Sequence, residues 1–78
     1  MKKSFDTILK DIIDTAYQRR VSSLSFECSP RFVREASESK YMSIHQKGFV
    51  SLLIGGIEIN CNLNYWLEGE EIFEIGRR

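Results

Sequence analysis

The spacing of the apolar residues changes once along the chain, and this change restricts the fold to a helix followed by strands. From Val21 onward, apolar and polar residues alternate through Cys28, which is the pattern of a half-buried strand. Before that point the apolar residues recur at helical spacing and form one stripe, made of Phe5, Ile8, Leu9, Ile12, Ile13, Ala16 and Tyr17. The stripe predicts an amphipathic helix with Ser4 as its N-cap and positive charge at its C-terminal end.

The segment after this strand is open to two interpretations. Ser29 and Pro30 have the residue types that begin a helix, with serine at the N-cap and proline at the first helical position. A short helix at 30–37 would turn Phe32, Val33 and Ala36 inward. A structured loop across 30–40 fits the same residues.

Residues 41–66 have the pattern of a β-meander. His45 to Phe49 fit a three-residue hairpin loop with Gly48 left-handed, which sets Ile44 opposite Val50 and Met42 opposite Leu52. Gly55-Gly56 fits a two-residue hairpin, which sets Leu52 opposite Ile59 and Val50 opposite Cys61. The two registers are independent and place the same residues on one face, which favours the sheet.

The sequence therefore predicts a single small globular domain over residues 1–78, of the α+β class. An N-terminal amphipathic helix packs on a four- to five-stranded antiparallel sheet, and Ile72 to Ile75 supply a short last strand. A chain of 78 residues has room for one domain and hides only about 60–65% of the surface of its unfolded form. A partner or a second copy could therefore add to its stability.

The composition offers little for catalysis. His45 is the only histidine, and Cys28 and Cys61 fall on the predicted inward face, where a thiol is usually inert. The two cysteines lack the spacing of a zinc site, and the four glutamates between Glu68 and Glu74 fit a solvated, charged strand edge. We expect no enzymatic activity, no metal and no cofactor.

The N-terminus lacks the unbroken apolar stretch of a secretory leader, and no run of residues is long and apolar enough to cross a bilayer. Because the chain has only two cysteines, we expect a cytoplasmic protein with free thiols. Because it has no long apolar run, we expect no membrane association.

The charges are unevenly distributed along the chain although they sum to zero. Residues 1–47 carry nine Lys or Arg against six Asp or Glu, and residues 48–78 carry two against five. The basic first half supports a nucleic-acid-binding module as the alternative function, because phosphate contacts need excess positive charge. Its candidate residues are Arg19, Arg20, Arg31 and Arg34.

The outward face of the meander is the most informative feature for function. Its alternation turns aromatic and aliphatic side chains outward beside asparagines, a combination typical of protein-binding surfaces. The candidate residues are Tyr41, Phe49, Leu53, Asn60, Asn62 and Trp66. Small sheets are often covered on both sides, and the sequence slightly favours coverage of this face by the last strand or by residues 30–40.

The function that the sequence favours is a non-enzymatic protein-interaction module, meaning a small adaptor, inhibitor or regulatory protein. It would bind a macromolecular partner, another protein rather than nucleic acid, through a sheet face or edge. Self-association through an exposed edge, giving a homodimer or another homo-oligomer, is compatible with this function.

Overall fold

The computed structural model describes residues 3–75, and two helices lie on one side of a five-stranded, mostly antiparallel sheet. The α+β prediction is therefore confirmed. In chain order the elements are α1 (Phe5–Arg19), β1 (Ser23–Cys28), α2 (Pro30–Glu38), β2 (Met42–Gln46), β3 (Phe49–Ile54), β4 (Ile57–Leu63) and β5 (Ile72–Ile75).

Helix α1 begins and ends where the sequence predicts. The Ser4 hydroxyl accepts the backbone N–H of Thr7 at 3.2 Å, as an N-cap does. At the other end Arg20 adopts the left-handed conformation, with φ at 58°, and its N–H reaches the carbonyls of Ala16 and Tyr17. This cap closes the helix without a glycine.

The segment after β1 is a helix rather than a loop. The Ser29 hydroxyl accepts the N–H of Phe32 at 3.2 Å, and Pro30 occupies the first turn, where a missing N–H leaves no bond unmade. Phe32, Val33 and Ala36 are buried, as the helical interpretation requires. Helix α2 therefore packs against the same core as α1.

The sheet has the strand order β2-β3-β4-β1-β5. The predicted meander is confirmed, because β2, β3 and β4 pair antiparallel in sequence order. Strand β1 lies beyond β4 and pairs with it in parallel, whereas β5 adds antiparallel to β1 at the far edge. One pair of the sheet is therefore parallel, in contrast to the all-antiparallel sheet that the alternation predicts.

The second hairpin has the predicted register and the first does not. Leu52 lies opposite Ile59 and Val50 opposite Cys61. The first hairpin closes through the two residues between Gln46 and Phe49, and a β-bulge follows between Met42 and Ile44. Met42 still lies opposite Leu52, but the predicted pairing of Ile44 with Val50 is wrong.

The core lies between the helices and one face of the sheet. Its strand residues come from the inward positions of β1, β3 and β4, including Phe26, Leu52 and Ile59. The Phe5 and Phe32 rings connect the two helices, with centroids 5.0 Å apart and planes tilted by 45°. Met42, which the alternation places inward, is 38% exposed because β2 is an edge strand. Ile44, which the alternation also places inward, is 45% exposed because the bulge sets it opposite Ser51, on the other side of the sheet.

Neither described helix is long and apolar enough to cross a membrane.

Candidate functional site

The face of the sheet opposite the helices is open. We use the name open face for its thirteen side chains, whose positions follow from the strand registers. They are Ile44 and Gln46 of β2; Phe49, Ser51 and Leu53 of β3; Glu58, Asn60 and Asn62 of β4; Ser23, Ser25 and Glu27 of β1; and Phe73 and Ile75 of β5.

Within residues 3–75 no helix or strand is stacked on this face. The core cluster takes its helical residues from both α1 and α2, so both lie on the other side. Strand β5 pairs with β1 within the plane of the sheet. Coverage by the last strand or by residues 30–40, which the sequence slightly favours, is therefore wrong.

Two rows of directly opposed residues cross the whole open face. The first row runs from β2 to β5 through Gln46, Phe49, Asn62, Glu27 and Phe73. The second row, one pleat away, runs through Ile44, Ser51, Asn60, Ser25 and Ile75. Each row is apolar near both edges and polar in the middle. Neighbouring strands lie about 4.8 Å apart, so the two aromatic residues of the first row are separated by about 14 Å.

The apolar side chains near the edges are largely accessible. Leu53 is 54% exposed, Phe73 is 56% exposed and Ile44 is 45% exposed, whereas Phe49 and Ile75 are half-buried. A side chain that is half exposed on a rigid strand has lost much of its conformational freedom already, so a partner that covers it incurs little further entropy loss.

The polar middle of the open face is held by hydrogen bonds between strands. The Ser51 hydroxyl donates to Asn60 Oδ1 at 3.2 Å, and Asn60 Nδ2 donates to the Ser23 hydroxyl at 3.3 Å. Asn62 Nδ2 donates to the carbonyl of Phe26 at 3.3 Å. The amide oxygen of Asn62 carries no such bond among the described residues, so it can accept one from a partner.

The turn after β4 adjoins the open face through Asn64. Its Nδ2 donates to Glu27 Oε1 at 3.0 Å, and its Oδ1 accepts the backbone N–H of Trp66 at 2.9 Å. Trp66 itself is 91% exposed. The predicted candidate therefore lies in a turn attached to the rim of the open face, not on a strand.

Tyr41 does not belong to the open face. It is half-buried and packs against the core on the helix side, in a groove between α1, α2 and β3. The Lys40 ammonium lies 5.4 Å from the centre of its ring. The placement of Tyr41 beside Phe49 is wrong because β2 begins at Met42, so Tyr41 lies in the turn before the strand and does not follow its alternation.

Four of the predicted protein-binding residues, Phe49, Leu53, Asn60 and Asn62, share the open face. Sequence reasoning did not assign Ile44, Glu27, Phe73 or Ile75 to it. The alternation of β1 shows Glu27 as an outward polar residue. Its cross-strand neighbours, however, depend on the strand order, which the alternation does not give. The face on which Phe73 lies depends on its pairing with β1, which no local pattern specifies.

The arginines of the alternative function lie away from the open face, on or beside the helices. Arg19 pairs with Glu74, and Arg31 lies 3.4 Å from a Glu35 carboxylate oxygen and 3.3 Å from one of Glu70. Arg20 caps α1, and Arg34 is exposed on α2. The structure therefore does not bring these arginines together with the aromatic residues of the open face.

The two cysteines are buried neighbours in the core. Cys28 and Cys61 are free thiols on the adjacent strands β1 and β4. The hydrogen bond with the Cys61 side chain, together with burial, raises the pKa of Cys28. Its thiol therefore stays protonated at neutral pH. Within residues 3–75 no three His, Cys, Asp or Glu side chains are arranged to hold a metal ion.

Comparison of the chain with protein-family models, with curated proteins and with solved structures finds no match.

Proposed function

We propose that this chain is a non-enzymatic protein-interaction module, a small adaptor, inhibitor or regulatory protein of the cytoplasm, that binds another protein through its open face. The observation that carries the proposal is the exposure of Leu53 and Phe73 on a sheet face that no described element covers. The solvent-facing side of a sheet normally carries polar residues, whereas protein–protein contact surfaces are enriched in aromatic side chains.

The charge of the open face indicates which surface it fits. Its only ionisable side chains are Glu27 and Glu58, and it has no lysine or arginine. Glu27 lies in the first row directly beside Phe73. A partner with an apolar patch around a lysine or arginine would complement both features, because the cation would meet a carboxylate flanked by an aromatic ring.

The same charges disfavour nucleic acid as the ligand of this face. Two carboxylates would repel phosphate, and Arg19 and Arg31 already pair with glutamates on the other side of the sheet. Nucleic-acid binding is therefore one outcome of the test below, not part of the proposal.

The proposal can be tested by affinity capture from a lysate of the native host, with partners identified by mass spectrometry. The variants Leu53→Thr and Phe73→Thr remove the exposed apolar side chains. Threonine is chosen because it is favourable in β-strands, so the sheet should be retained. The matched control is Tyr17→Ala on α1, because Tyr17 is 62% exposed and lies on the opposite side of the sheet.

We expect one protein to be retained at high salt and after nuclease treatment, to be lost with both open-face variants and to be kept by Tyr17→Ala. Retention by the folded open-face variants would contradict the use of this face. Recovery only of nucleic acid, released by salt, would replace the proposal with the alternative function.

A further inference from the structure

The helix side of the fold carries a groove between α1 and residues 68–74, with a volume of about 730 Å³. We use the name acidic groove for it. Its floor is apolar and is made of Ile8 and Ile12 of α1, Phe26 of β1 and Ile72 of β5. Ile12 and Phe26 are buried, whereas Ile8 and Ile72 are only half-buried. The last two side chains therefore still present apolar surface that a ligand can cover.

The rim of the acidic groove is predominantly negative. Five carboxylates line it against two cations. The carboxylates are Asp11, Glu68, Glu70, Glu71 and Glu74, and the cations are Lys3 and Arg19. An apolar floor with a rim of this charge complements a ligand that is both apolar and positive.

The ion pairs of the rim leave two of these carboxylates over. The Lys3 ammonium lies 2.7 Å from a carboxylate oxygen of Asp11, and Arg19 pairs with Glu74. The Glu70 carboxylate is paired with Arg31, which lies outside the groove. Among the residues that the structure describes, the two carboxylates of the rim without an ion pair are Glu68 and Glu71.

A hydrogen-bonded turn holds Glu68 and Glu71 close together. The N–H of Glu71 donates to the carbonyl of Glu68 at 3.0 Å, and the N–H of Glu68 donates to Glu71 Oε1 at 3.3 Å. The N–H of Ser29 donates to the carbonyl of Glu71 at 3.0 Å, which connects the turn to the start of α2. The two negative charges repel each other in this turn, and a cation bound beside them offsets the repulsion.

The shape of the acidic groove favours a compact ligand over a chain that runs through it. Arg19 lies on α1 and Glu74 on β5, so their ion pair bridges the two walls at the end of the groove nearest the C-terminus of α1. From Ile8 to Arg19 the helix rises about 16 Å. The groove volume also lies within the range of about 300–1,000 Å³ that is usual for small-molecule sites.

We propose that the acidic groove binds a small amphiphilic cation, meaning a free organic amine or guanidine with an apolar body such as a hexyl chain. The apolar body covers Ile8 and Ile72, and the positive group lies beside Glu68 and Glu71. Burial of the apolar body supplies the driving force, and the carboxylates select the sign of the charge. The groove and the open face lie on opposite sides of the sheet, so this site does not depend on the proposed protein contact.

A titration with hexylammonium, followed by NMR of the isoleucine δ1 methyl groups, tests the proposal on the purified chain. Ile8, Ile12 and Ile72 line the groove, and we expect their signals to shift and to saturate in the millimolar range. The other isoleucines with accessible surface are internal controls that should not shift, namely Ile13, Ile44, Ile54 and Ile75.

Hexanol and hexanoate have the same chain as hexylammonium and differ from it in charge. We expect hexylammonium to bind at least about threefold more tightly than hexanol, and hexanoate not to bind. The double variant Glu68→Gln with Glu71→Gln should weaken hexylammonium binding about fivefold and leave hexanol binding unchanged. The matched control is the double variant Glu27→Gln with Glu58→Gln, which removes the same charge from the open face and should leave both affinities unchanged.

Three results would overturn the proposal: no shift of the groove isoleucines well above millimolar hexylammonium, equal binding of hexanol or hexanoate, or unchanged affinity in the folded Glu68 and Glu71 double variant. Shifts of the groove isoleucines with a lysine hexapeptide but not with hexylammonium would also overturn it, because the groove would then take a basic chain. Circular dichroism checks the fold of the variants, and the charge series on the native chain is decisive by itself. This assay uses the isolated chain, so its outcome is independent of the partner test.

Discussion

Leu52 and Leu53 are adjacent leucines on β3 and provide the sharpest test of the fold and the open face together. Leu52 is 0% exposed and faces the helices, whereas Leu53 is 54% exposed and faces away from them. We expect Leu52→Ala to lower the free energy of unfolding by about 3–4 kcal/mol, because removing a buried leucine side chain also leaves a cavity. Leu53→Ala should cost below about 1 kcal/mol, since about half of that side chain already contacts water.

Urea denaturation followed by circular dichroism gives both values. A 78-residue chain has about 4–12 kcal/mol of stability in total, so Leu52→Ala should remain measurable at low temperature. The measurement is made at low protein concentration, where association adds nothing to stability. If Leu53→Ala costs as much as Leu52→Ala under these conditions, the face is covered within the monomer and the argument for an open face fails.

Two further predictions concern the core and its helix cap. Ser29→Ala should lower the free energy of unfolding by about 2 kcal/mol, because the hydroxyl caps α2 and also donates to the carbonyl of Gly69. Ser4→Ala, which removes a cap and an exposed hydrogen bond with the Thr7 hydroxyl, should cost about 1 kcal/mol in the same denaturation assay; an equal cost would show that the Gly69 bond contributes nothing beyond an exposed one. Above about pH 9, the ordinary pKa of its thiol, Cys28 should make the folded state less stable by about 1.4 kcal/mol per pH unit. The raised folded-state pKa keeps the proton on the folded chain while the unfolded chain releases it, and a Cys28→Ala variant with the same pH dependence would refute this cause.

Local patterns predicted the elements of this protein well because each depends on neighbouring residues. The caps at Ser4 and Ser29 and the glycine turn before Ile57 are specified within a few positions of the chain. The register of β3 against β4 followed from that turn and from the alternation of the two strands. These predictions needed no knowledge of the tertiary structure.

The parts that could not be predicted depend on which distant segments meet. The position of β1 beside β4 is a long-range pairing between Leu24 and Ile59, and no turn connects the two strands. The predicted register of the first hairpin is wrong for a local reason, because the structure has a two-residue loop and a bulge where the sequence predicted a three-residue loop. This single change of register left Ile44 opposite Ser51 on the open face. Tyr41 packs on the helix side because it precedes β2 and does not follow the alternation of the strand.

The three-dimensional structure changes the interpretation of the charge asymmetry of the sequence. Its basic first half and acidic second half suggested a basic face, yet Arg19 pairs with Glu74 and Arg31 pairs with Glu70. The exposed ion pairs contribute little to stability, but they remove two arginines from any phosphate-binding set. Because these pairs form on the helix side, the sheet face is left with carboxylates and apolar groups. This distribution favours a protein contact over a nucleic-acid contact as the function of the open face.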